Sequence, residues 1–339
     1  MRTESPNIDR ADLCRRIGES WGFSVTACEF VPKGEVAFNY VVTGADGSRA
    51  FARVQETADR HELEQIYRCV DALQRVDGSN RFVAPHRRRR GGYLLPLGHF
   101  TVALFPFLSG RTAFEAPRTE PTVVQSASLI AGLHRATRTL PILPPRQEVF
   151  GNPFADTIGR LLSRVKGRWR PEFDHQRDVR KLLIDCEEEI REAERRLARL
   201  GTDVCQLKPD AMLTHGDPNW ANILVDEGGA PHLIDWEDVA FGPPERDLAF
   251  FTDEFFEPFL RQYVEIRGPV RLRRSAFGYY QYRWMVQEIA DWSTRLLFEL
   301  PSSTEAAHAW SELTQYLPAP FDTIERGLDE VVETIHRVS

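Results

Sequence analysis

The stretch from Leu213 to Glu237, L-T-H-G-D-P-N-W-A-N-I-L-V-D-E-G-G-A-P-H-L-I-D-W-E, constrains this chain more than any other. It opens with His215-Gly216-Asp217 and places Asn222 at the head of an apolar run of Ile223, Leu224 and Val225. A polar turn over 226–231, centred on Gly228-Gly229, separates that run from Leu233 and Ile234, which lead into Asp235. Two short apolar runs joined by a glycine-rich turn predict a β-hairpin. With Val225 opposite His232, Ile223 falls opposite Ile234 and Asn222 opposite Asp235. Directly opposed side chains of an antiparallel pair lie about 4.5–5.5 Å apart at Cβ.

A carboxamide and a carboxylate at that separation offer oxygen donors to one hard cation, which suits Mg²⁺. Asp217 sits just upstream in a loop, placed to meet a substrate hydroxyl. One acid for an acceptor, with an Asn and an Asp for a metal, is the layout that phosphoryl transfer uses. H-G-D-x-x-x-x-N-I-L followed by I-D-W-E also resembles the kinase pattern H-R-D-x-x-x-x-N and D-F-G. Gly216 replaces the Arg, and Asp235-Trp236-Glu237 stands where D-F-G would. In this form the motif is similar to that of the aminoglycoside phosphotransferase and choline kinase family. The resemblance implies a two-lobed, kinase-like α+β fold: a small antiparallel-sheet N-lobe at 1–108 that binds nucleotide, then a larger, mainly helical C-lobe at 109–339. It implies ATP or GTP as co-substrate, Mg²⁺ as cofactor and a small hydroxylated molecule as acceptor. Asp217 is then the catalytic residue that orients and deprotonates the acceptor hydroxyl, Asn222 and Asp235 hold the metal, and His215 supports the loop.

Composition narrows the setting. A formal net charge of −7 argues against nucleic acid as a partner. The chain has no run of ~18 apolar residues, so no membrane span is expected. The opening M-R-T-E-S-P-N-I-D-R lacks the apolar core of a signal peptide. Five cysteines, odd in number and scattered, suit a reducing cytosol rather than a disulfide framework. A cytoplasmic protein is the expectation, with monomer and homodimer both open.

Along the chain, Leu13, Ile17 and Trp21 predict a helix over 8–22. Strands are expected at Val25–Val31, at an alternating run of Val36, Phe38, Tyr40 and Val42, and over 50–55. By resemblance, the turn Pro32-Lys33-Gly34-Glu35 would cover the nucleotide phosphates, though one Gly falls far short of G-x-G-x-x-G. In F-A-R-V-Q, Arg53 takes the position of the family's phosphate-binding Lys; the other reading is an exposed strand Arg. Arg grips phosphate bidentately and keeps its proton. Leu63, Ile66, Val70 and Leu73 predict a helix over 57–75, where Glu62 is the expected partner of the strand cation and Glu64 the fallback. Arg87 to Arg90 followed by Gly91-Gly92 read as a basic hairpin tip. Strands at 93–97 and 100–107 complete a five-stranded sheet, with Phe105-Pro106-Phe107-Leu108 as the adenine-binding hinge. Among these, Phe105, Phe107 and Leu108 would line the base.

Downstream, S-A-S-L-I-A-G-L-H-R-A-T resembles the central helix of the family's C-lobe, with His134 as a structural residue holding the catalytic loop. Apolar positions 179, 183, 186, 190, 193, 197 and 200 predict one long amphipathic helix. In F-G-P-P-E-R-D-L-A-F-F, Asp247 matches the family Asp that braces the catalytic loop, and Arg246 is similar to the spectinomycin-type kinases. A helix over 278–297 follows. Asp253, Glu254, Glu288 and Asp291 are candidate acceptor-binding acids, and one sign of charge concentrates a cationic ligand. An amine-bearing acceptor, an aminoglycoside or aminocyclitol antibiotic, is therefore favoured, which would make the chain a resistance enzyme. Three alternatives stay open: a bacterial stress-type Ser/Thr protein kinase, a metabolic kinase for choline, homoserine or a thiosugar, and a pseudokinase binding module. The intact Asp217, Asn222 and Asp235 set argues against the last.

Overall fold

The structure, a computed structural model, describes residues 4–5, 7–34, 37–57, 59–299 and 303–338. Glu35 and Val36, assigned above to the phosphate turn and the second strand, lie outside the described residues, as does Ala58 in the helix expected over 57–75. In chain order the elements are α1 (Arg10–Trp21), β1 (Val25–Val31), β2 (Phe38–Gly44), β3 (Arg49–Glu56), α2 (Arg60–Asp77), β4 (Leu94–Leu97), β5 (Phe100–Pro106) and β6 (Gly110–Thr112). There follow α3 (Glu120–Ala136), α4 (Ala155–Lys166), α5 (Asp174–Asp185), α6 (Glu187–Leu207), β7 (Met212–Thr214), β8 (Ile223–Asp226), β9 (Pro231–Leu233) and β10 (Ala240–Gly242). The chain ends with α7 (Glu245–Leu248), α8 (Phe256–Arg267), α9 (Arg274–Phe298), α10 (Ser303–Leu313) and α11 (Phe321–Val338). These form two compact units, one of residues 1–147, 212–242 and 258–269, the other of 148–211, 243–257 and 270–339.

The first unit holds an antiparallel sheet of five strands in the order β1-β2-β3-β5-β4. Side chains alternate across it. Tyr40, Val42, Ala52, Val54, Val102 and Leu104 bury one face against Leu13 and Ile17 of α1. That helix starts where the Asp9 carboxylate accepts the Ala11 and Asp12 N–H groups, and stops at left-handed Gly22. Arg53 falls on the opposite face, where Tyr67 of α2 meets Phe105 edge-on at 5.7 Å. So the alternation that builds the core also turns one cation of β3 away from it.

The β8–β9 hairpin exists, but its register is one residue from the expected one. Ile223 faces Leu233, Leu224 faces His232 and Val225 faces Pro231. Asp226 sets the slip. Its N–H donates to Ala230 O (3.0 Å) and its carboxylate accepts the Ala230 N–H (2.9 Å), so the turn closes before Pro231. The last cross-strand bond runs from the Ile234 N–H to Asn222 O (3.0 Å), and the chain then turns away, since Asp235 has φ +66°, a left-handed backbone rare for a residue with a side chain. Asn222 and Asp235 are therefore not opposed partners of a ladder.

The second unit is helical. Its core gathers Tyr279, Tyr282, Met285 and Ile289 of α9 with Ile190, Ala193 and Leu197 of α6. Each Leu, Ile or Met among them contributes roughly 1.5–3 kcal/mol on burial. α6 carries Gly201 because a Cβ there would come within 2.6 Å of Phe150 O. The single helix expected over 178–200 is two, α5 and α6, joined at Cys186. Glu187, Glu188 and Glu189 occupy the first turn of α6, where acids favour a new helix N-terminus. The apolar periodicity survives the break, so periodicity alone hid it. No helix of the described residues is long and apolar enough to cross a membrane.

Candidate active site

β7 ends at Thr214, whose hydroxyl donates to Ala240 O (2.9 Å) on the paired strand β10. The next residue, His215, is fully buried beside Trp236, with ring centroids 4.8 Å apart. Its Nε2 lies 2.9 Å from Ile234 O, an atom that only accepts, so Nε2 carries the proton. Its Nδ1 then accepts the Asp217 N–H at 3.3 Å. Trp236 is fixed in turn by donating to Val83 O (3.0 Å). Gly216, at φ +95°, makes the bend that separates this buried ring from the next side chain.

That side chain is Asp217, half-buried and held at both oxygens. Asn219 Nδ2 donates to Oδ1 (2.7 Å) and Asn222 Nδ2 donates to Oδ2 (2.9 Å). Burial pushes its pKa up to about 7, the nearby Asp238 and Asp235 carboxylates add to the rise, and the two amides pull against it. Asn219 is itself set by accepting the Ala221 N–H (2.8 Å). Because Asn222 commits its nitrogen to Asp217, its Oδ1 remains as an acceptor.

Arg53 reaches Asp235, its Nη1 donating to Oδ2 at 2.8 Å. Its Nε donates to Gln55 Oε1 (2.7 Å) and lies 3.0 Å from Glu237 Oε1. The single Nε hydrogen is spent on Gln55, so Glu237 Oε1 is a charge contact without a hydrogen bond, buried among the described residues. Burial works against the charge of Arg53, but Asp235 and Glu237 outweigh it and hold the guanidinium above its ordinary pKa. Burial likewise raises Glu237, with Arg53 drawing it back.

Two carboxylates on one guanidinium leave a net negative charge in a poorly solvated place, which suits a further cation. Among the described residues no group of three or more His, Cys, Asp or Glu could hold a metal alone. Mg²⁺ does not ask for one, since it usually takes one or two carboxylates and completes its shell with phosphates and water. The donors present, Asn222 Oδ1 and the Asp235 carboxylate, fit that ion.

The helix acid expected beside Arg53 is elsewhere. Glu62 Oε2 accepts from Arg146 Nη2 (2.7 Å), and Glu64 accepts the N–H groups of Tyr93 and Leu94. Phe105, Phe107 and Leu108 are half-buried at the end of β5, and the Arg49 guanidinium lies 3.7 Å over the Phe107 ring. His134 is buried with Nδ1 2.7 Å from Tyr263 Oη. Gly91 N–H donates to Arg88 O (3.0 Å) in the arginine-rich tip, a turn as expected.

In the second unit Asp247 is fully buried in α7. Arg246 is buried too, its Nε donating to Glu148 Oε2 at 2.6 Å. Glu288 accepts from Trp292 Nε1 (2.7 Å), and Asp253 accepts the Phe255 N–H (3.0 Å); Glu254 and Asp291 are exposed. Sequence reasoning passed over Asn219, Glu237, Gln55 and Arg146. Asn219, Glu237 and Gln55 lay inside quoted motifs, whereas nothing local marks Arg146.

The profile of the phosphotransferase enzyme family matches residues 28–285. Protein StrN of Streptomyces griseus is 25% identical over 333 residues, 94% of this chain and 97% of that protein. Among solved structures, a spectinomycin phosphotransferase in complex with ADP and spectinomycin aligns with a TM-score of 0.73 at 17% identity, over 96% of this chain and 100% of that one. An amicoumacin kinase in complex with AMP-PNP and Ca²⁺ aligns with a TM-score of 0.62 at 14% identity, over 91% and 93%. At such identities these likenesses show the kinase-like fold.

Proposed function

We propose that this chain, which belongs to the phosphotransferase enzyme family, transfers the γ-phosphoryl group of ATP or GTP to a hydroxyl of a small, amine-bearing molecule. One observation carries the reading: a half-buried carboxylate, Asp217, clamped at both oxygens by Asn219 and Asn222. Such a group is fixed in aim and accepts the acceptor's proton as the phosphoryl group arrives. Mg²⁺ held by Asn222 and Asp235 would neutralise charge on the β- and γ-phosphates. Arg53 supplies the second positive charge there, and Phe105, Phe107 and Leu108 the apolar surface for the base. Positioning and charge neutralisation, rather than covalent chemistry, then account for the rate.

Support for nucleotide as co-substrate comes from the ADP and AMP-PNP in the two similar structures. Support for an amine on the acceptor comes from the acids of the second unit, of which Glu254 and Asp291 are exposed to solvent. A spectinomycin-like aminocyclitol, and with it a role in antibiotic resistance, is the form we favour.

A coupled ADP-release screen over aminocyclitols, aminoglycosides, choline, ethanolamine and neutral sugars, with ATP and with GTP, tests the reading. An amine-bearing acceptor should give the highest kcat/KM, and its KM should rise severalfold from ~0.05 M to ~0.5 M salt as screening removes the attraction. A neutral sugar outperforming every amine would move the acceptor to the metabolic alternative. Turnover of protein substrates alone would move it to the protein kinases.

A further inference from the structure

The cation of β3 and the acid of α2, which a kinase-like site pairs, are not paired in this chain. Both carboxylates beside Arg53, those of Asp235 and Glu237, come from the segment after β9. Glu62 of α2 is bonded to Arg146 instead. Arg146 is anchored by its backbone, since its carbonyl accepts the Phe241 N–H at 2.9 Å and the next residue, Gln147, bridges to Phe241. Its Nη1 donates to Glu237 O at 2.6 Å, with the Asp238 carboxylate 3.9 Å away. One guanidinium thus ties α2 to the backbone of the residue whose side chain faces Arg53.

The arrangement follows from having Arg rather than Lys on the strand. A guanidinium spreads five N–H donors over three nitrogens in one plane. Nε and Nη1 are engaged by Gln55, Glu237 and Asp235, and Nη2 carries two further donors. An ammonium, with all its hydrogens on one atom, has no separate edge to hold and edge to offer. Asp235 is also the proposed metal ligand, so the carboxylate committed to Arg53 alone has to be another one. Glu237 Oε1, buried 3.0 Å from Nε, is that group.

Resting on the phosphotransferase reading, we propose that Glu237 and Arg146 are positioning residues. Glu237 is the counter-charge that aims Arg53 at the nucleotide phosphates. Arg146 fixes the Glu237 segment to α2 and occupies Glu62, the acid that would otherwise compete for Arg53.

Calorimetric titration with metal-free ADP, Mg·ADP and adenosine, on the full chain and its variants, tests this. Glu237→Gln should weaken metal-free ADP by about tenfold, the scale of one charge-assisted contact, while adenosine changes less than about twofold. A residue that merely supported the fold would move both ligands or neither. Arg53→Gln combined with Glu237→Gln should lose no more than Arg53→Gln alone, because the second residue acts through the first. Arg146→Met should weaken ADP with adenosine again spared, and Arg146→Lys should restore part of the loss. If Glu237→Gln fails to fold, Glu237→Asp keeps the charge, shortens its reach and should give the same split between ADP and adenosine. A larger ADP loss for Glu62→Gln than for Glu237→Gln would overturn the inference and leave the function standing. A wild-type chain that binds neither ADP nor Mg·ADP would overturn both.

Discussion

Asp217, the proposed base in the loop after β7, and Glu245 in α7 are acids of one kind in two settings. Burial is the first cause at each, and it pushes both to about 7. Their surroundings differ. Asp217 is half-buried, with an amide donor on each oxygen. Glu245 is fully buried; one oxygen accepts the Arg273 N–H at 2.7 Å, and Oε2 has no partner among the described residues. A raised pKa alone therefore does not mark a catalytic group. What separates the two is access together with a fixed aim. In the proposed reaction Asp217 exchanges a proton with the acceptor hydroxyl, whereas the titration of Glu245 reports only on folding.

The largest expected effect breaks the comparison from the catalytic side. Asp217→Asn should lower kcat by about 10²–10⁴-fold, the usual range for a lost general base, while nucleotide affinity stays near wild type. Its melting temperature should change little, since the isostere gives up one of the two amide contacts but also removes a charge that burial, with Asp238 and Asp235, disfavours. Near-normal turnover would return Asp217 to the status of Glu245, a buried acid without a reaction.

The second effect is on stability and belongs to Glu245. Its folded pKa lies above the unfolded value, so the folded chain holds this proton more tightly. Stability is unpenalised below the unfolded pKa and declines as pH rises through the window up to about 7. Above it the penalty is complete, at about 3 kcal/mol for a shift of this size. Glu245→Gln should thus match wild type at pH 4 in urea unfolding and exceed it at pH 8 by up to ~3 kcal/mol. A wild-type and variant difference that is flat with pH would show that Glu245 stays ionised in the fold.

The same contrast explains what the sequence could reveal. The loop after β7 was legible because it is local: His215, Asp217 and Asn222 meet within a few residues of chain, and spacing encodes their geometry. The five-stranded sheet and the long α9 were legible because burial imposes periodicity on them. Charge pairing carries no such imprint. Arg53 meets Asp235 across 182 residues, and Arg146 meets Glu62 across 84, so each cation had several acids to choose from. The hairpin register failed for a local reason that the residues conceal. Asp226 closes the turn on Ala230 through its own N–H and carboxylate, and beyond the paired residues Asp235 takes a left-handed backbone without the Gly or Asn that usually announces one. Glu245 carries no local mark, because its raised pKa comes from burial that F-G-P-P-E-R-D does not encode.

The smallest expected effect sharpens the comparison to one hydrogen bond. Asn219 is the donor that Asp217 has and the Oε2 of Glu245 lacks, and its 2.7 Å contact to Oδ1 fixes the rotation of the carboxylate. The Asn222 contact at Oδ2 remains when Asn219 is truncated, so Asn219→Ala frees one oxygen without unmaking the proposed metal site. A hydrogen bond to a charged group is worth about 1.5–3 kcal/mol, but water entering this half-buried site replaces part of it. The expected outcome is a fall in kcat of about tenfold, with the KM of ATP within about twofold. Asn219→Asp should be worse than Asn219→Ala, because a third carboxylate would join Asp235 and Asp238 around Asp217. If Asn219→Ala instead leaves kcat untouched, the aim of Asp217 is set by Asn222 and the His215 turn alone. The feature that distinguishes Asp217 from Glu245 would then reduce to access.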